Sequence, residues 1–384
     1  MTGNNEIVEI DPRILVWART RINMSISEVA RKLKKDEQII QNWENGSELP
    51  SLAQLEKLAY NIYKVPFAVF FLAEPPDEPQ IKNQFRTIPT QEIELLPYEL
   101  MLKVREGQYF QEVLKEIFNG KNPSLTPIFR RINNFSESNL LGSSKDVRKI
   151  LGVNKSIQSN FKDTTESFKY YREQLEKNGI FVFQQTLKDF CRGYSLYDPE
   201  FPIIVINSSE ESDTGKNFTI FHELGHLLLN TGGITNDYTY NSHNAEEITC
   251  NSFASNVLID NNEILNNQLV INNKSYEWSE ELLRILAKDH KVSKEVVLRK
   301  LLDLKLTSSV FYNTKRNEWL NTPFKRKKSG GGDFYRNKLS KLGHYYSTIV
   351  LNNLYNGRIN QYQASEYLTL KINQIPIIER LVFK

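Results

Sequence analysis

Between Thr219 and Leu229 the chain reads TIFHELGHLLL, and His222, Glu223 and His226 within it have the types and spacing of hydrolytic metal chemistry. Residues four apart on a helix share a face, so the two imidazoles can hold one ion between them. Neutral imidazole suits Zn²⁺, and a hydrolytic zinc site keeps one position open for water. Glu223, next to the first histidine, is a carboxylate able to take a proton from that water. The chain has five histidines, and two of them fall in this pentapeptide. A chance H-E-x-x-H in a protein without metal is the competing explanation, so the rest of a ligand set has to be found.

A third histidine in the pattern H-E-x-x-H-x-x-G-x-x-H would complete the set, but Leu229 and Gly232 occupy the two diagnostic positions. Downstream, AEEITCNSFASNVLI (Ala245–Ile259) opens with Glu246 and Glu247, where a carboxylate on a following helix can close a His₂Glu site. At 100° per residue the apolar face of that helix centres near Cys250, Phe253, Ala254, Val257 and Leu258, and the two carboxylates lie on its opposite edges. Helical geometry alone does not choose between them. His243, in the polar loop 230–244, is the rival ligand. It could instead steady a tetrahedral oxyanion with Tyr240 or Tyr238, while the ordinary reading of all three is exposed loop. His290 and His344 have no partner motif and read as surface or packing residues.

These groups need elements to hold them. The flanks Ile220, Phe221, Leu224 and Leu227–Leu229 are apolar, as for a buried helix at the floor of a cleft. Upstream, Ile180–Gln185, Tyr194–Tyr197 and Ile203–Ile206 are short β-like runs bounded by Gly, Pro or Asn. They predict a small sheet, with Ile203–Ile206 the candidate edge that accepts a substrate as an added strand. Apolar residues at three-to-four spacing predict helices from Pro97 to about Asn178, at Glu280–Lys288 and at Lys294–Leu304. Short amphipathic helices precede them at Pro12–Thr20, Ser25–Leu33, Glu37–Glu44, Leu52–Tyr63 and Pro66–Leu72. The acidic, proline-rich AEPPDEPQ (Ala73–Gln80) and the basic KRKKSGGG (Lys325–Gly332) read as linkers.

HELGH preceded by KNFTIF and followed by Glu247-Ile-Thr-Cys250-Asn251-Ser-Phe253-Ala254 resembles the paired motif of the ImmA/IrrE family of metallo-endopeptidases. RGYSLYDPEFPIIVIN (Arg192–Asn207) and KDHKVSKEVVLRKLLDLKL (Lys288–Leu306) resemble further family segments, so that the likeness runs from about Gln84 to Tyr312. It implies a zincin-like α+β fold, His222 and His226 as zinc ligands, Glu223 as general base, and Glu247 rather than Glu246 as third ligand. Cys250 stands where the family usually has alanine and Asp260 where it tends to have proline; neither touches the chemistry.

Residues 24–46, MSISEVARKLKKDEQIIQNWENG, resemble the helix-turn-helix of XRE-type regulators, with Val29, Ala30, Leu33, Ile40 and Trp43 spaced to pack two short helices across a tight turn. Such a motif turns Glu37, Gln38, Gln41 and Asn42 toward the major groove, and Gln38, Gln41 and Asn42 are the candidate DNA-binding residues. Glu37 would be repelled by phosphate. Lys34 replaces the usual turn glycine and Ile26 a usual glutamine, so a helical fold kept for dimerisation or docking is the alternative. Gly332–Lys371 resembles a tail of longer family members, in which Ile359, Ala364, Leu368 and Ile372 could form a second, degenerate helix-turn-helix.

The expected fold is multidomain: an all-α helix-turn-helix head (1–73), a linker (74–96), an α+β zincin-like metallopeptidase domain with a small β-sheet (97–320), a basic Gly-rich linker (321–332) and an all-α basic C-terminal tail (333–384). Residues 1–73 carry nine Lys/Arg and nine Asp/Glu, whereas Pro323–Lys384 carry eleven against three, a net of +8. A polyanion would be drawn to the tail, where a solvated basic face packed on the peptidase is the alternative. Composition, 40% hydrophobic and 25% charged, argues against disorder. Cys191 and Cys250 make no disulfide framework, as suits a reducing compartment. No signal peptide is visible, and the longest apolar run, Val65–Ala73, is about half the ~20 residues of a membrane helix. The expectation is a cytoplasmic, zinc-dependent endopeptidase with no membrane partner. By the resemblance it cleaves a repressor or antitoxin-like protein, with DNA as a further candidate partner. The alternative is a DNA-binding transcriptional regulator or antitoxin-like module whose metal site senses or stabilises. Glu223 favours the first, since a structural zinc site has no need of a carboxylate base.

Overall fold

A computed structural model describes residues 10–78, 81, 85, 90–132, 134–210, 213–235, 245–321 and 332–384. The chain divides into two compact units, one from residues 1–83 and 88–106 and the other from 84–87 and 107–384. Among the described residues no helix is long and apolar enough to cross a membrane.

The first unit opens with helices α1 (Pro12–Thr20), α2 (Ile26–Leu33), α3 (Glu37–Asn45) and α4 (Leu52–Lys57). Ser25 and Glu28 cap α2 reciprocally, the side chain of each taking the other's backbone N–H, so two otherwise orphaned donors are satisfied. The turn into α3 is made by Lys34 in the left-handed conformation, φ 56° and ψ 50°. Ile14, Leu15, Ala18, Val29, Ala30, Leu33, Ile40 and Trp43 are buried where the three helices meet. Arg19 forks onto Glu44 at 2.7 and 2.8 Å, tying α1 to α3. The helix expected to continue to Tyr63 does so as a wider π-helix, Leu58–Tyr63, and the apolar turn after it is a 3₁₀ segment, Phe67–Phe71.

The second unit is built on a four-stranded sheet. Helix α5 (Tyr98–Ile117) contributes its C-terminal half to this unit, followed by α6 (Leu140–Ile150) and α7 (Thr164–Lys177). The strands are β1 (Phe181–Gln185), β2 (Gly193–Leu196), β3 (Ile203–Asn207) and β4 (Gly233–Thr235), in the order β1-β3-β2-β4. β1 and β3 run parallel, with Phe181 opposite Ile203, while β2 is antiparallel to both β3 and β4. All residues of β1, β2 and β3 are buried, so the sheet is covered on both faces. Val182, Ile204 and Ile206 join the core under helix α8 (Asp213–Leu228), together with Phe221, Leu224 and Leu227 of that helix. The expectation that Ile203–Ile206 is an edge strand is overturned. β3 is paired on both sides, and the outer strands among the described residues are β1 and β4. An apolar run reads the same at the centre of a sheet as at a covered edge, so composition could not separate the two.

Helix α9 (Ala245–Leu258) packs along α8, and α10 (Glu280–His290) and α11 (Lys294–Asp303) close the core behind it. The tail begins with α12 (Phe334–Leu342) and α13 (His344–Tyr355) and belongs to this same unit. Phe183 of β1 stacks on Phe110 of α5 with ring centroids 4.4 Å apart, and Tyr346 of α13 meets Phe183 edge-on at 5.1 Å. The Ser340 carbonyl accepts from Arg172 Nη1 at 2.7 Å and from Gln184 Nε2 at 2.9 Å. The tail is therefore a packed layer on the sheet. Of the four residues read as a possible second, degenerate helix-turn-helix, Ile359, Ala364 and Leu368 are buried and Ile372 is 45% exposed.

Candidate active site

Helices α8 and α9 approach closely because of two small residues. A Cβ on Gly225 would lie 3.0 Å from Cys250 Sγ and 3.3 Å from its Cα, so the chains meet almost backbone to backbone. This contact gives Cys250 its role as a small, fully buried packing residue; burial raises the pKa of its thiol, and that of Cys191 likewise. Phe253, Ala254, Val257 and Leu258 complete the buried face of α9, as the periodicity predicts.

The same approach brings three ligand atoms together. His222 Nε2 lies 3.1 Å from His226 Nε2 and 3.3 Å from Glu247 Oε2, and His226 Nε2 lies 3.2 Å from Glu247 Oε1. All three residues are buried. Among the described residues this is the one group of three or more that could hold a metal ion. Glu246 is half-buried and outside the group. Zn–N and Zn–O bonds of about 2.0–2.1 Å at tetrahedral angles put neighbouring donors roughly 3.3 Å apart, so the observed separations fit such an ion.

Asn251, one turn beyond Glu247, sets the imidazole of His222. Its Oδ1 lies 3.0 Å from His222 Nδ1. An amide oxygen only accepts, so Nδ1 carries the hydrogen and Nε2 presents its lone pair to the other two donors. Glu247 is held ionised. Burial alone would raise its pKa, whereas protonated His222 and His226, whose hydrogen bonds and charge a bound cation would replace, bring it well below the usual carboxylate range. Three electron-rich atoms thus converge in a buried space, the arrangement a divalent cation relieves.

Glu223 is fully buried on the sheet side of α8, where its Oε2 accepts from Ser195 Oγ of β2 at 2.7 Å. Strand β4 crosses directly beside His226. A Cβ on Gly233 would fall 2.5 Å from His226 Cδ2, so only glycine lets the strand pass there. Of the expected residues, His222, His226 and Glu247 are brought together and Glu223 lies on the same helix as the two histidines, while His243, Tyr240 and Tyr238 lie outside the described residues. Asn251 and Ser195 had no assigned role. The first could have been found from its position four residues after Glu247 on one helix face, whereas only the sheet register puts Ser195 opposite Glu223.

In the first unit, Glu37, Gln38 and Gln41 are exposed on α3 and Asn42 is half-buried, with Gln38 Nε2 donating to Asn42 Oδ1 at 2.9 Å. His290 is buried, 3.5 Å from Glu263, and His344 is exposed.

Residues 175–302 match the family model of an IrrE N-terminal-like peptidase domain, and residues 15–60 match a helix-turn-helix model. No curated protein matches the chain. The peptidase match spans all four strands, α8, α9 and the group of His222, His226 and Glu247.

Proposed function

We propose that this chain, which joins a helix-turn-helix domain to an IrrE N-terminal-like peptidase domain, is a cytoplasmic zinc-dependent endopeptidase of narrow specificity acting on a repressor or antitoxin-like protein. The observation that carries the reading is the buried convergence of His222, His226 and Glu247, with Glu223 on the same helix as the two histidines. His222, His226 and Glu247 would hold the metal, and Asn251 would fix the tautomer of His222. A divalent metal so held supplies Lewis acidity and an acidified water for peptide hydrolysis. Glu223 takes a proton at its carboxylate and returns it to the leaving amine. Strand β4, an outer strand among the described residues and beside His226, is the natural place for an extended peptide to add through its main chain, in place of Ile203–Ile206. Tyr240 and His243 remain candidates for steadying the oxyanion.

The test is to express the parent chain and its Glu223→Gln variant in the same cells and map protein N-termini. A terminus that arises only with the parent names both substrate and bond. If none depends on Glu223 while both proteins carry metal, the second reading gains: a DNA-binding regulator with a structural or sensing metal. That reading draws on the helix-turn-helix match and on exposed Gln38 and Gln41. It predicts a footprint on operator-like DNA that survives Glu223→Gln and is lost with Gln38→Ala and Gln41→Ala.

A further inference from the structure

We propose that Ser195 is a positioning residue for Glu223, its hydroxyl clamping the carboxylate through Oε2 while strand β4 clamps the hydroxyl. The inference rests on the metallopeptidase reading and adds a residue to it. Ser195 is fully buried in β2, between β3 and β4. Its Oγ lies 2.7 Å from Glu223 Oε2 and 3.2 Å from the Gly233 amide nitrogen. A hydroxyl has one hydrogen. The Gly233 amide can only donate, so Oγ accepts there and its single hydrogen is committed to Glu223 Oε2. The direction of both bonds is thereby set.

Three consequences follow from that direction. The hydroxyl holds the carboxylate at Oε2, which restricts rotation about χ3. A buried carboxylate also gains a donor that offsets its lost hydration. Third, Gly233 is the residue whose missing side chain lets β4 pass His226, so the strand beside the metal ligands and the base are joined through one hydroxyl. Pairing of Ser195 with Gly233 in the β2–β4 register is what delivers this. Catalytic groups need to be held to within about 0.5 Å by neighbours whose own conformations are locked, and Ser195 meets that description.

The competing explanation is packing: a small residue fits between sheet and helix, and alanine would serve as well. Acetohydroxamic acid separates the two without knowledge of the substrate. It ligates a site metal through both oxygens and hands its proton to an adjacent carboxylate. Zinc content, thermal unfolding and acetohydroxamate Kd would be measured on the zinc-loaded full chain and on Ser195→Ala, Ser195→Thr and Glu223→Gln. All four should carry equal zinc. Glu223→Gln and Ser195→Ala should each weaken the probe, the latter by roughly tenfold, the scale of a hydrogen bond to a charged group. Ser195→Thr, which keeps the hydroxyl, should bind within about twofold of the parent. Should Ser195→Ala not fold, the near-isosteric Ser195→Cys, a weak donor, takes its place with the same expectation. Parent-like binding by the alanine or cysteine variant, or threonine as poor as alanine, overturns the proposal. If Glu223→Gln itself binds like the parent, Glu223 does not face the metal, and the metallopeptidase reading falls together with this one.

Discussion

Glu223 and Glu247 lie on neighbouring helices, both buried, and their removal should have opposite signatures. On the proposed reading, Glu223→Gln would leave the three ligands and take away the base, so zinc should stay and cleavage should go. Glu247→Gln removes the carboxylate that stands 3.2–3.3 Å from both imidazoles, so metal should be lost first and activity partly recovered in excess zinc. Glu246→Gln, outside the group, should do neither; zinc measured on the three purified variants decides. His290 makes a second residue-scale prediction. Burial first, then the charges of Lys155, Arg148 and Lys300, depress its pKa to about 4. Glu263 faces it at 3.5 Å but has its own pKa raised by burial. With the folded value below the unfolded one, the native state binds fewer protons than the unfolded chain as pH falls. The neutral imidazole's contribution is complete above about pH 6.5 and is lost toward pH 4, a loss of up to about 3 kcal/mol. His290→Phe should flatten that acid limb in urea unfolding at about pH 7 and 4.5, and an unchanged difference from the parent across the two pH values would sink the assignment.

At the scale of elements, periodicity and end signals carried the helices. Pro12–Thr20 has Asp11 and a first-turn proline at its start, and the buried face of α9 holds Cys250, Phe253, Ala254, Val257 and Leu258 as its apolar spacing requires. The turn between α2 and α3 is where local chemistry and fold disagree. Lys34 holds a left-handed backbone at φ 56°, which costs an L-residue about 1–2 kcal/mol. Lys34→Gly should therefore raise stability by up to about 1 kcal/mol after the extra unfolded-state entropy of glycine, read as a higher denaturation midpoint with unchanged slope. Strand order was not legible in the same way. Phe181–Gln185 and Ile203–Asn207 are both buried throughout and both open on an apolar stretch, so which lies inside depends on pairing partners far away in sequence. Proline at Val205 now removes ladder bonding from an interior strand. It should abolish folding, read as loss of soluble protein together with its bound metal.

For the whole molecule, the basic tail changes meaning once its packing is seen. Its net charge of +8 still marks a polyanion-attracting segment, but it also covers the sheet. Removing Pro323–Lys384 would uncover the Phe110–Phe183 stack and take away the carbonyl of Ser340 that Arg172 and Gln184 bind. Each aromatic ring exposed costs roughly 1.5–3 kcal/mol, so the deletion should lower the melting temperature sharply. Equal melting of deleted and full chains would show the tail to be dispensable to the fold. A cleaner test of nucleic-acid binding keeps the tail and neutralises exposed Arg336, Arg358 and Lys371. If these side chains neutralise phosphates, the steepness of the salt dependence should fall by about 0.9 for each one removed.

By itself the sequence determined most of what depends on near neighbours along the chain, but not strand β4, which it read as part of the polar loop 230–244. The two histidines of one helical turn, the carboxylate between them, the capped helix starts and the three upstream β-runs are all local patterns, and each element formed within a few residues of its expected bounds. Only the tertiary structure decided what depends on register between distant segments. It sets Glu247, which the paired motif had already singled out, 3.2–3.3 Å from both imidazoles, because Gly225 and Cys250 let α8 and α9 close to contact. It buries β3 in the middle of the sheet, and it sets Ser195 between Gly233 and Glu223 through strand pairing. The physical reason is the range of the forces. Helical periodicity and capping act over three or four residues, whereas ligand distances and strand order come from close packing of side chains that the chain holds far apart.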